Sequence, residues 1–255
     1  MIIGGLEKLT LIDFPGELAA IVFTQGCNFR CQFCYNPMLV WPEKEGKLKY
    51  QRDHSRIKED DLFAFLKSRK GKLSGVVITG GEPTLHKDLP DFIKKIKDAG
   101  FKIKLDSNGT NPEMLEKVLE EKLIDYLAMD IKAPLDKYEE VIGVKVRPVK
   151  SGEAGAKLFN GVNLENIQKS IKIIKESGVS YEFRTTLVPS LHKKEDIEEM
   201  GKLIAGADKW YLQFFKSDTD LVNKNFQNKA RFSEKEMKEM LEIAKKYAKK
   251  CDVRG

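Results

Sequence analysis

Short aliphatic and β-branched runs alternate with amphipathic stretches along most of this chain. Gly75-Val76-Val77-Ile78-Thr79 has the continuous apolar character of a buried strand, and Asp88 to Ala99 then carries apolar residues at helical spacing. A strand over 101–105 comes next. A helix opens near Asn111-Pro112, with proline in the first turn, where its missing N–H does no harm. The alternation continues through a strand at 126–131, a helix at 164–177 stopped by Gly178, a strand at 181–187, a helix at 194–204 and a strand at 210–215. Upstream, Ala19 to Thr24 reads as a strand and Ile57 to Arg69 as a helix. A last helix is predicted over 233–250.

Strands that alternate with helices predict an α/β fold with a parallel sheet and right-handed crossovers. A full barrel needs eight such units, so the count here predicts an open or partial TIM-like barrel, (β/α)6, with its chemistry at the C-terminal strand ends. The expected organisation is one domain over 1–255, with a barrel core at 18–217. Two stretches break the rhythm: 37–56, polar and irregular beyond Val40-Trp41, and 133–163, long enough to be a lid or a flexible connection. Leu9 to Gly16 reads as a short edge strand or a hairpin.

Composition adds bounds. With 255 residues and 41% hydrophobic content, the chain can build a sizeable core. Its 45 basic and 39 acidic residues leave a formal charge of +6, a mild excess that does not imply nucleic acid. No apolar run has the roughly 20 residues of a membrane span. The N-terminus lacks the pattern of a secretory signal, so the expected location is cytoplasmic.

Three of the four cysteines fall within eight residues, in Cys27-Asn28-Phe29-Arg30-Cys31-Gln32-Phe33-Cys34. In a reducing compartment this C-x3-C-x2-C spacing points to metal rather than disulfides. A [4Fe–4S] cluster usually takes four thiolates, so three local cysteines would leave one iron open to a substrate or cofactor. The alternative is structural zinc, which wants four ligands. Cys251, His54 and His86 could supply the fourth, though none stands at a usual spacing. Cys251 is expected on the last turn of the terminal helix, and His54, His86 and His192 on the surface or in loops.

With Phe33 in its aromatic slot and a strand directly before it, this loop resembles the signature of the radical S-adenosylmethionine (SAM) superfamily. The resemblance implies the partial barrel of that superfamily and a [4Fe–4S] cluster on Cys27, Cys31 and Cys34, with SAM chelating the fourth iron. It also implies one-electron cleavage of SAM to a 5′-deoxyadenosyl radical that abstracts hydrogen. Phe33, Tyr35 and Asn36 of the loop would lie against the cofactor.

Further motifs sit at other strand ends. Thr79-Gly80-Gly81-Glu82-Pro83 reads by itself as an ordinary βα turn. Beside the cysteine loop it is similar to the superfamily's GGE motif, which implies that Gly80, Gly81 and Glu82 hold the amino group of SAM. Asp106-Ser107-Asn108-Gly109 and Asp130-Ile131-Lys132, alone, could be helix caps or turns. They resemble the D-[TS]-N-G and D-[LI]-K motifs of glycyl-radical-enzyme activating enzymes. By that resemblance Asp106 and Asp130, with Ser107 and Asn108 beside them, would help hold a monovalent cation near the SAM carboxylate. Lys132 would pair with that carboxylate, and Arg184 would be a basic SAM contact. Lys216 stands where the family often has histidine. The similarity is closest to the activating proteins of anaerobic ribonucleoside-triphosphate reductase, through Gly4-Gly5-Leu6, Leu11 to Gly16 and the cysteine loop. It implies a glycyl radical enzyme as partner, a one-electron donor such as flavodoxin or ferredoxin, and neither nucleic acid nor membrane. The 133–163 segment, with Lys145, Arg147, Lys150 and Lys157, is the expected docking lid.

Overall fold

The structure is a computed structural model that describes residues 1–40, 56–146 and 162–255. An eight-stranded sheet runs in sequence order. Its strands are β1 (Ile3–Thr10), β2 (Ala19–Thr24), β3 (Gly75–Gly80), β4 (Lys102–Ser107), β5 (Tyr126–Asp130), β6 (Ser180–Leu187), β7 (Ala207–Phe214) and β8 (Ala248–Arg254). β1 pairs antiparallel with β2, and every later neighbour is parallel. The described helices are α1 (Pro37–Val40), α2 (Glu59–Ser68), α3 (Leu89–Asp98), α4 (Pro112–Glu120), α5 (Tyr138–Ile142), α6 (Leu164–Glu176), α7 (Lys194–Leu203) and α8 (Glu234–Ala244). This is the expected α/β architecture, an open barrel, with two more strands than the sequence pattern indicated.

The additions lie at the edges. The 9–16 stretch is mostly the turn of a hairpin whose first strand, β1, begins earlier. The terminal helix predicted over 233–250 ends at Ala244, and β8 follows it. The sequence misleads here because Met240, Ala244, Ala248 and Cys251 keep helical spacing. Pairing with β7 overrides that weak pattern: Cys251 stands opposite Trp210 in the ladder, not on a helical turn.

Period-two alternation divides the side chains between two faces. Val76, Ile78, Ile103, Leu105, Leu127, Met129 and Phe183 belong to the large core that includes the helices. A smaller cluster of Ala19, Ile21, Val77 and Tyr126 lines the inner face. Phe14, carried by the β1–β2 turn, packs into that cluster and lies 6.2 Å, ring to ring, from Tyr126. Gly75 makes room for it, since a Cβ there would stand 2.8 Å from the Phe14 ring. The Phe14-Pro15-Gly16 motif thus plugs the end of the barrel where the parallel strands begin. Among the described residues, no helix is long and apolar enough to cross a membrane.

The plug has a measurable consequence. Phe14→Ala should lower the stability of the cluster-free protein by about 3 kcal/mol, because it empties a site that the flanking strands cannot close over. Denaturant titration against the parent checks this; a loss within error of zero would show that the turn is not part of the core.

Candidate active site

Every polar motif singled out in the sequence that falls among the described residues lies at or near the C-terminal end of the barrel. β2 runs into the cysteine loop, which its neighbours hold in place. Asn28 donates to Thr110 Oγ1 at 2.8 Å and accepts from Asn108 Nδ2 at 2.8 Å, joining the loop to the end of β4. The Arg30 amide donates to the Ile142 carbonyl, and the Val222 and Asn223 amides donate to the Cys34 and Gln32 carbonyls. Phe29 packs edge-on against the buried Tyr138 ring, with centroids 6.3 Å apart. Residues 133–142 are therefore packed support for the loop and not a lid. Lys145 is exposed, whereas Arg147, Lys150 and Lys157 lie outside the described residues, as does His54.

Cys27 and Cys31 are buried and Cys34 nearly so. Burial raises the Cys31 thiol to about 12 and pushes Cys27 and Cys34 up as well; Lys132 partly offsets this at Cys31 and Cys34. Without a cluster all three are neutral thiols at pH 7, and a metal must displace their protons to bind. Among the described residues, no three His, Cys, Asp or Glu side chains gather as a single ion would require. A cubane offers its irons at separate corners, so its three thiolates need not converge on one point. The donor set fits such a cluster: three soft sulfurs on a loop braced from several sides.

The glycine pair serves the fold first. A Cβ on Gly81 would lie 2.1 Å from the Gly26 carbonyl oxygen, and one on Gly80, at φ +116°, 2.4 Å from the Thr24 nitrogen. These glycines let the ends of β2 and β3 press together, closed by Gly81 N–H to Thr24 O and Glu82 N–H to Gly26 O. Glu82 is also a brace. Its buried carboxylate accepts from Thr84 N and Oγ1, from Ser107 Oγ at 2.9 Å and from Asn108 N at 2.6 Å. Burial raises its pKa, and these donors oppose the rise.

Inside the barrel, Asp106 and Asp130 are linked by Arg184. Its Nε donates to Asp130 at 2.9 Å and its Nη1 to Asp106 at 3.1 Å. Arg184 stands directly opposite Asp130 across the β5–β6 pair. It reaches Asp106 past Ala128, the small residue that β5 places beside Asp106. Lys132 pairs with the second oxygen of Asp130 at 3.0 Å, and Lys104 with the second oxygen of Asp106. Burial alone would raise the Asp130 pKa, but Arg184 and Lys132 outweigh it and bring it from 3.8 to about 2. Asp106 is lowered in the same way, by Arg184 and Lys104. Below this layer, Glu182 takes two hydrogen bonds from Arg254 and one from Tyr126.

Phe33 is buried, with the Lys132 ammonium 5.9 Å from its ring centroid, and Tyr35 is exposed at the rim beside Asn36. Lys216 lies exposed beyond β7, next to a depression of about 400 Å³ also lined by Phe214, Phe215 and Arg231. His192 is in a loop, as expected, yet fully buried. Its Nδ1 accepts from Val188 N and its Nε2 lies 2.8 Å from the Lys132 carbonyl oxygen, so it steadies Lys132. His86 is half-buried, with Nε2 3.1 Å from the Gln25 carbonyl oxygen. Sequence reasoning passed over Lys104, His192 and Asn28. Only Lys104 left a usable signal: a lysine two residues before Asp106, on the same face of a strand.

A partial α/β barrel with a three-cysteine loop and a buried charge layer at its C-terminal end defines an enzyme built around a thiolate-held cluster and a small charged cofactor. Residues 21–205 match the radical SAM superfamily, and the chain belongs to it. Membership implies a [4Fe–4S] cluster and SAM. A Methanocaldococcus jannaschii protein, named as a candidate glycyl-radical enzyme activating enzyme, is 35% identical over 247 residues, covering 96% of this chain and 92% of its own. The pyruvate formate-lyase-activating enzyme of Clostridium pasteurianum is 28% identical over 204 residues, 79% of this chain and 75% of its own. Among solved structures, Streptococcus suis SuiB bound to SAM superposes with a TM-score of 0.62 at 18% identity, over 92% of this chain. The chain spans 49% of SuiB, so the likeness concerns the fold alone.

The depressed Asp130 sets the acid limit of this layer. Its contribution to stability is complete above its ordinary pKa and is lost as pH falls from about 4 to about 2. Asp130→Asn should cost about 3 kcal/mol at neutral pH, by leaving Arg184 and Lys132 undercompensated. It should also flatten the stability loss between those pH values. Denaturation midpoints across that range check both effects, and an unaltered acid slope would contradict the assignment.

Proposed function

We propose that this enzyme activates a glycyl radical enzyme, removing a hydrogen atom from a glycine of its partner. The observation that carries the reading is the similarity to the M. jannaschii protein, which runs through nearly the whole of both chains and not just the cysteine loop. When bound, the [4Fe–4S] cluster and SAM supply a one-electron cleavage and a carbon-centred radical able to take that hydrogen.

The chain's own residues bind, orient and exclude water. Cys27, Cys31 and Cys34 are the thiolates for the cluster, and the bracing of their loop fixes where it would sit. Three cations against two carboxylates leave the Lys104–Asp106–Arg184–Asp130–Lys132 layer with one net positive charge. A carboxylate such as that of SAM would balance it, with Lys132 its nearest partner. The carbonyls of the Gly80-Gly81 turn would accept from the amino group of SAM, a reading supported by the likeness of Gly80-Gly81-Glu82 to the superfamily motif. Tyr35 and Asn36 at the rim, and the buried Phe33, would adjoin the cofactor. No side chain need act as acid or base for a hydrogen-atom abstraction.

Anaerobic ribonucleoside-triphosphate reductase is the partner we favour, on the resemblance of Gly4-Gly5-Leu6, Leu11 to Gly16 and the cysteine loop to its activating proteins. The pyruvate formate-lyase-activating relatives support a second reading, a different glycyl radical enzyme in the same role.

The decisive experiment mixes the anaerobically reconstituted, reduced protein with SAM and each candidate partner, then looks for a glycyl signal by electron paramagnetic resonance. A signal on the reductase is expected. SAM cleavage with no signal on any partner would refute activation while leaving the enzyme class intact. Cys31→Ala should abolish iron uptake and SAM cleavage, and Cys251→Ala should change neither. Lys132→Ala should keep the cluster and weaken SAM binding about ten- to a hundredfold, as loss of a charge-assisted contact implies. Calorimetry with SAM measures that, and an unchanged affinity would remove Lys132 from the site.

A further inference from the structure

All four carboxylate oxygens of Asp106 and Asp130 are taken by cations of the chain itself. Lys104 and Arg184 hold the two oxygens of Asp106; Arg184 and Lys132 hold the two of Asp130. This does not fit the monovalent cation implied by the sequence resemblance. A hard cation needs several oxygen ligands. Each oxygen keeps a second lone pair, but an alkali ion bound there would share its ligands with a guanidinium or an ammonium. The layer already carries one net positive charge, so a further cation among these partly buried groups meets like-charge repulsion.

Lys104 is the residue that completes the arrangement. It lies two positions before Asp106 on β4 and so shares its inward face. Its side chain is 1% exposed, and a lysine that deep is almost never found without a counter-charge. Arg184 alone could not serve both carboxylates in full, because its two bonding nitrogens reach one oxygen of each. We infer that Lys104, acting with Arg184, is a built-in cation in the place of a bound monovalent ion, so that SAM binding by this enzyme does not depend on which monovalent cation is present. Lys104 is a positioning residue: it holds Asp106, and through Asp106 the Arg184 guanidinium.

The inference rests on the proposed site only where SAM is concerned, and its test has an arm without SAM. Cluster-free protein is freed of alkali ions and its melting temperature is compared in sodium, potassium and tetramethylammonium chloride at fixed ionic strength. Thallium(I) NMR reports any bound ion directly. The parent should melt alike in all three salts and show no bound thallium. Lys104→Arg, which keeps the charge, should behave in the same way. Lys104→Met leaves one Asp106 oxygen without its cation, so it should bind thallium and melt higher in potassium than in tetramethylammonium. With SAM added, its affinity should differ about tenfold between those salts, the size of one charge-assisted contact, while the parent's stays constant. Ion-dependent melting or thallium binding in the parent would overturn the inference, and so would a folded Lys104→Met that is indifferent to the salt. If Lys104→Met does not fold, the parent and Lys104→Arg still decide. Failure of SAM to bind in every salt would instead refute the site assignment and leave the ion result standing.

Discussion

A lysine, an arginine or an aspartate buried alone would shed its charge or stay in water. Five such side chains share one layer inside this barrel, because each is answered by another: Lys104 by Asp106 on the same strand, Lys132 by Asp130 two residues before it, and both aspartates by Arg184 from β6. The constraint propagates outward. Arg184 can bridge Asp106 and Asp130 only if β4, β5 and β6 keep their register and β5 carries a small residue between them. His192 and the 132–138 turn must then hold Lys132 where the layer ends. The sheet is thus specified as much by its interior charges as by its hydrophobic outer face.

The layer also sets what can approach the thiols. Cys31 and Lys132 lie close enough for each to shift the other's protonation, so the electrostatics of the cluster loop and of the charge layer are coupled. The layer's net positive charge favours an anionic group beside it. The hydrophobic helices and the Phe14 plug keep water from the other directions. Positioning and desolvation, not proton transfer, are what such a layer offers to chemistry.

Much of this was legible in the sequence because the informative features are local. The cysteines stand within eight residues, and Asp106, Asp130 and Gly80-Gly81 fall where strand periodicity ends. Lys104 was not legible as a buried group. It sits near the exposed Lys102 in a charged strand, and a lysine–aspartate pair two residues apart gives no sign by itself of which face the sheet will bury. Glu82 and the glycines read as ligand contacts, while their packing against Gly26, Ser107 and Asn108 shows that they first hold strand ends together. β8 was hidden because its alanine and cysteine continue the helical spacing of α8, and only the β7 edge decides between the two conformations.

The bracing of the cysteine loop is made wholly of protein hydrogen bonds and ring contacts, from Asn28 to Asn223. A loop held from so many sides has already given up much of its freedom, so a cluster binding there would meet three cysteines at a lower ordering cost.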